Sequence, residues 1–176
     1  MIDHQCVPYK RQGLYWLLTI PMIAAYVFLF FFIWQTSPWL ALIYASLFIG
    51  VALCMSVVCV YWQCPYVGKF APCVGGFCLP SSRLAKLWKN RKISEKQYNF
   101  FYTAAFTFFF AIILYPLYFL AVSSIPWLIA YIVLVSVYTV LYMSLICPKC
   151  ATRHVCPGGK TAVAMMKKFG KSVDEN

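Results

Sequence analysis

The sequence predicts an all-α integral membrane protein. Four transmembrane helices form two pseudo-symmetric hairpins, with a Cys-rich loop and tail on the cytoplasmic side. Three observations carry that prediction. The 176 residues are 63% hydrophobic and only 11% charged, whereas a soluble domain carries about 25% charged residues. No Asp, Glu, Lys or Arg occurs from Gln12 to Gly68, or from Gln97 to Pro148. A bilayer core of about 30 Å takes roughly 20 apolar residues per helix, so each block holds two spans and a tight turn. A cysteine pattern, C-P-x7-C-x-G-G, then occurs twice. It runs from Cys64 and Pro65 to Cys73, Gly75 and Gly76, and from Cys147 and Pro148 to Cys156, Gly158 and Gly159.

In chain order, residues 1–13 are a short polar lead containing His4, Cys6, Lys10 and Arg11. The first span is predicted over 14–34, with Pro21 as a kink point. It is too long for a signal-peptide core and lacks a small-residue cleavage site. Thr36, Ser37 and Pro38 make the turn, and Trp34 and Trp39 suit the interfacial belt. The second span is predicted over 40–62. Its Ala41, Ala45, Gly50, Ala52, Cys54 and Ser56 allow close backbone approach in lipid, which marks it as the central packing helix. Ser81 or Ser82 caps a short amphipathic helix in which Leu84, Leu87 and Trp88 share a face. Ser94 and Gln97 fit a capping box that opens the third span, predicted over 97–122 with a kink at Pro116. Pro126 and Trp127 begin the fourth span, predicted over 126–146. The tail adds a basic amphipathic stretch over 161–170 and ends in residues 172–176, which read as disordered. Residues 1–93 thus make a first hairpin with its basic loop, and 94–176 a second hairpin with its basic tail.

Net charge is +11, and all 15 basic residues lie in the lead, the central loop and the tail. Four spans put these three regions on one side. The opposite turns carry no charge, so the positive-inside rule makes the basic side cytoplasmic, with both termini there. Basic segments at that surface fit anionic lipid, or an acidic partner or other subunits of a membrane complex. No nucleic-acid partner is expected.

Cys54 and Cys59 fall within the second span, where a cysteine acts as a small hydrophobe. The others share the basic side. In a reducing compartment, clustered cysteines point to metal ligands or reactive thiols rather than structural disulfides. If the second and fourth spans flank a two-fold axis, Cys64 and Cys147 emerge together, and Cys73 and Cys156 fold back to complete a tetrahedral thiolate site. Cys78 and Cys150 are further candidate ligands, and His154 stands behind them. The glycines let backbone amides approach ligand sulfur, and nearby Lys69, Lys149, Arg153 and Lys160 offset thiolate charge. Zinc and an iron–sulfur cluster both accept four cysteines, so the ligand set leaves the metal open.

No span carries an ionisable acid, base or histidine, which argues against ion-coupled transport by this chain. Walker, dinucleotide, H-E-x-x-H and serine-hydrolase motifs are absent. The four acids, Asp3, Glu95, Asp174 and Glu175, sit in no motif. The expected function is therefore an accessory or structural subunit, not catalytic on its own, whose metal centre joins two repeated halves. Two alternatives stay open. One is an iron–sulfur electron-transfer subunit linked to a quinone or a partner's cofactor. The other is a membrane thiol oxidoreductase.

Overall fold

The computed structural model describes residues 12–68, 70, 73, 76–150, 152–154 and 156–168. Residues 1–11, with His4 and Cys6, and residues 169–176 of the tail lie outside them. Among the described residues there are α-helices and a 3-10 turn, and no strand. The helices are α1 (Gln12–Thr36), α2 (Pro38–Tyr61), α3 (Cys78–Trp88), α4 (Glu95–Ser123), α5 (Ile125–Leu145) and α6 (Pro157–Lys168). The 3-10 turn is Cys147–Lys149.

Helices α1, α2, α4 and α5 are long and apolar beyond the polar first turns of α4, and have 25, 24, 29 and 21 residues. At 1.5 Å per residue that is roughly 31–44 Å, enough to cross a bilayer. Each runs unbroken, α1 through Pro21 and α4 through Pro116. The turns between paired helices are alike. Ser37 and Ser124 are single extended residues, at φ −159° and −167°. The Ser37 amide donates to the Ile33 carbonyl and the Ser124 amide to the Leu120 carbonyl, both at 2.9 Å. Pro38 and Pro126 then occupy the first and second positions of the following helix, where a missing N–H costs nothing.

Around the bundle, α1 packs on α2, α2 on α4, α4 on α5 and α5 on α1. Cross-links fix which ends meet. The Trp62 indole donates to the Tyr98 hydroxyl (3.3 Å), joining the end of α2 to the start of α4. At the other end, the Tyr115 hydroxyl donates to the Leu40 carbonyl (3.0 Å). Helix α2 is the most enclosed, with 44% of its apolar window buried against 22–28% for the other three. Its small residues allow this: Ala41, Ala52, Cys54 and Ser56 are buried, and a Cβ on Gly50 would stand 3.0 Å from the Phe108 ring.

The core holds many phenols, with Tyr15, Tyr26, Tyr44, Tyr131, Tyr138 and Tyr142 all buried. The outside is aliphatic and aromatic: Leu17, Phe28, Phe31, Phe106, Phe110, Val133 and Val140 are exposed. An apolar exterior this extensive suits hydrocarbon, not water. Trp39 and Trp127, both exposed, stand where α2 and α5 begin, as interfacial anchors do.

Outside the spans, the Ser94 box is complete. Its hydroxyl accepts from the Gln97 amide (3.3 Å), and the Gln97 side chain accepts from the Ser94 amide (3.1 Å). Helix α3 departs from expectation. It starts at Cys78, so Ser81 and Ser82 lie inside it and donate back to the carbonyls of Phe77 (2.7 Å) and Leu79 (3.2 Å). Its buried face is Ser81, Ser82 and Ala85, packed on α2, while Leu87 is 76% exposed. Small residues win that face because they let α3 sit close to α2. Helix α6 begins at Pro157, earlier than the predicted stretch, and its Ala162 is buried.

Candidate functional site

A cleft of about 200 Å³ opens at the basic end of the bundle, where α2 and α5 finish and α4 begins. Cys73, Cys147, Cys150 and Cys156 all line it, with Arg153 beside them and an apolar wall that includes Val51, Phe106 and Tyr142. Thiols from the first loop and from the second copy of the motif therefore share one cavity.

Each thiol is placed by local structure. Helix α5 ends at Leu145. The chain then tightens into a 3-10 turn closed by Lys149 N–H to the Ile146 carbonyl and Cys150 N–H to the Cys147 carbonyl, each 3.2 Å. Cys147 opens this turn, Cys150 follows it in extended conformation, and both line the cleft. Cys150 Sγ and Thr152 Oγ1 are hydrogen-bonded at 3.2 Å. The Arg153 guanidinium pins the turn by donating to the Pro148 carbonyl (3.1 Å) and, through Nε, to His154 Nε2 (3.0 Å).

Cys156 directly precedes α6, and its carbonyl accepts from the Lys160 amide at 2.9 Å. Burial raises its thiol pKa, while the amides of Gly159 and Gly158 donate to the sulfur and pull the other way. The motif's two glycines therefore bring backbone N–H groups to a cysteine sulfur in this copy. In the first copy Gly76 instead takes a left-handed turn at φ 77° before α3. Cys73 is held from α1: the Tyr15 hydroxyl donates to its carbonyl (3.3 Å), and Phe70 packs edge-on against the Tyr15 ring at 4.9 Å.

Cys64 is placed differently. The Cys64 amide donates to the Cys59 carbonyl (2.9 Å) and the Gln63 amide to the Val60 carbonyl (3.0 Å), with Gln63 left-handed at φ 49°. This is a Schellman motif, which brings the side chain two residues past the cap against that of the third residue from the helix end. Here those residues are Cys64 and Cys59. Cys64 is not on the cleft wall. A non-glycine residue at positive φ stores strain, so Gln63→Gly is expected to raise stability by about 0.5–1 kcal/mol in a thermal melt in detergent.

Of the sequence candidates, Cys73, Cys147, Cys150 and Cys156 therefore line one cleft, and Cys64 lies across the turn from Cys59. His154 is exposed and its Nε2 is engaged by Arg153. The side chain of Cys78 lies outside the described set. Cys147 lines the cleft and Cys64 does not. Among the described residues, no three His, Cys, Asp or Glu side chains are grouped closely enough to hold a metal ion. Burial pushes the Cys150 thiol up to about 11, with the nearby Cys73 adding to the rise and Thr152 opposing it. At neutral pH that thiol is protonated, and a cation must displace its proton to bind.

One member of the site gave no signal of its own in the sequence. Tyr142 is buried on the cleft wall with no hydrogen-bond partner for its hydroxyl among the described residues. No family model matches the chain, and no curated protein or solved structure matches it.

Proposed function

We propose that this chain is an accessory subunit of a membrane complex, built around a Cys-ligated metal centre at its cytoplasmic face. The supporting observation is the meeting of Cys73 with Cys147, Cys150 and Cys156 around one cleft. Four thiols suit zinc or an iron–sulfur cluster. A tetrahedral zinc site with bonds of about 2.3 Å holds its sulfurs within about 4 Å of one another, so the thiols would close on the metal as they bind it. Binding energy would then become folding energy for the two loops. Two further features fit the donor set. The Gly158 and Gly159 amides already serve the Cys156 sulfur, and the unpartnered Tyr142 hydroxyl is a donor available to a thiolate.

The basic end is assigned to the cytoplasm by the positive-inside rule. The like turns at Ser37 and Ser124, with the repeated cysteine pattern, support two halves related by an axis normal to the membrane. Basic α3, with exposed Leu87 among its cations, suits an anionic leaflet. An iron–sulfur cluster in this site would carry with it an electron-transfer role beside a quinone or a partner's cofactor.

Single serine substitutions test the ligand set. Cys73→Ser, Cys147→Ser, Cys150→Ser and Cys156→Ser are each expected to cut bound metal about tenfold or more, read by elemental analysis of the anaerobically purified protein. Cys54→Ser and Cys64→Ser are expected to keep the wild-type content. A full complement of metal in Cys147→Ser refutes the site. Loading the metal-free protein with zinc near pH 7 should also release about one proton per ligand thiol, measured by calorimetry in buffers of differing ionisation enthalpy.

A further inference from the structure

The end of α2 carries a second thiol arrangement that the metal reading does not use. Its basis is the backbone. Two hydrogen bonds, of 2.9 Å and 3.0 Å, and the left-handed Gln63 fix the Schellman turn. That turn normally closes on a hydrophobic contact between the third residue from the helix end and the second residue past the cap. In this chain both positions are cysteine, so the turn sets the Cys59 and Cys64 side chains against each other. The two thiols differ in access: Cys59 is buried at 5% exposure in the last turn of α2, whereas Cys64 is half-buried in the loop.

We propose that Cys59 and Cys64 form a redox-active dithiol that closes to an intrachain disulfide by exchange with a low-molecular-weight disulfide of the glutathione type. The more accessible Cys64 reacts first. Its thiolate attacks one sulfur of the small disulfide, forming a mixed disulfide and expelling one small thiolate. The Cys59 thiolate then attacks the Cys64 sulfur and expels the second. The protein dithiol loses two electrons and two protons, and one small disulfide becomes two small thiols. Reversal by excess small thiol restores the pair. On a reducing face such a bond is transient, as redox-sensing disulfides are. Closing it ties Cys64 to α2 and leaves the four cleft thiols unpaired with it.

The test uses the full chain in detergent micelles, with and without bound metal. The protein is equilibrated anaerobically in buffers of varied reduced and oxidised glutathione. It is then acid-quenched, alkylated and mapped by peptide mass spectrometry. The expected result is that Cys59 and Cys64 lose alkylation together, over one range of glutathione ratio, with a single cross-linked species two hydrogens lighter. Cys59→Ala is expected to trap a glutathione adduct on Cys64, and Cys64→Ala is expected to leave Cys59 unmodified. Pairing of Cys64 with Cys73 or any other cysteine overturns the proposal. So does oxidation of Cys64 while Cys59 in the wild-type protein stays alkylatable. The readout is independent of metal content, so failure of the metal site and failure of this pair are separately visible.

Discussion

Gly159→Ala is expected to unseat α6 from the cysteine loop. A Cβ at this position would stand 2.5 Å from Arg153 Cα, 2.7 Å from its carbonyl oxygen and 2.9 Å from its carbonyl carbon. These are backbone atoms, which cannot swing aside as a side chain does. Relief requires α6 to move away from the turn that carries Arg153, and with it the amides that serve the Cys156 sulfur. Overpacking of this kind costs about 1–3 kcal/mol, and the displacement also disturbs Cys156 as a ligand. Gly158 is the control. A Cβ there would lie 3.9 Å from Cys156 Sγ and from Met143 Cε, an ordinary contact. Gly158→Ala is therefore expected to be neutral or to stabilise by up to about 1 kcal/mol through helix propensity. Thermal melts and metal content of the two purified variants check the contrast. Equal behaviour of both would show that the α6 start is not seated as described.

Ile112→Ala should cost about 2–4 kcal/mol. Ile112 lies on α4 with no exposed surface and belongs to the core cluster. Removing its side chain leaves a cavity that lipid cannot reach. Leu114, two residues on along the same helix, is 57% exposed, and in the bundle it faces acyl chains. Leu114→Ala is expected to change stability by less than about 0.5 kcal/mol, because lipid fills the space. Unfolding in mild detergent against increasing denaturant, or a thermal melt, compares them. A larger loss at Leu114 than at Ile112 would mean that α4 presents the opposite face to the bundle.

The long-range layout was written in charge. The gaps ending at Lys69 and Lys149 located all four spans, and the helices begin and end within a few residues of the predicted limits. Ser94 was readable because a capping box is a local device with its own spacing. Ser81 and Ser82 misled for the same local reason. A serine beside a basic amphipathic run resembles a cap, but Pro80 is tolerated in a first helical turn, so α3 starts earlier and takes both serines inside.

Which thiols would meet was harder to read. The spans are apolar on every side, so no stripe announces which face packs on which neighbour. The course of the two loops decided which thiols line the cleft, and Cys64 is not among them. Cys150 was recognised only as a further candidate ligand, because the sequence does not reveal that Cys147 to Lys149 winds as a 3-10 turn. Tyr142 was one phenol among many, and only the fold sets it on the cleft wall.

Anaerobic purification of the wild-type chain, followed by an absorbance spectrum and elemental analysis on the same sample, tests the metal centre most directly. The expected result is metal in stoichiometric amount. It is either iron with labile sulfide and broad visible bands, or zinc without colour. Trace metal only, with Cys73, Cys147, Cys150 and Cys156 all rapidly alkylated in the untreated protein, would contradict it.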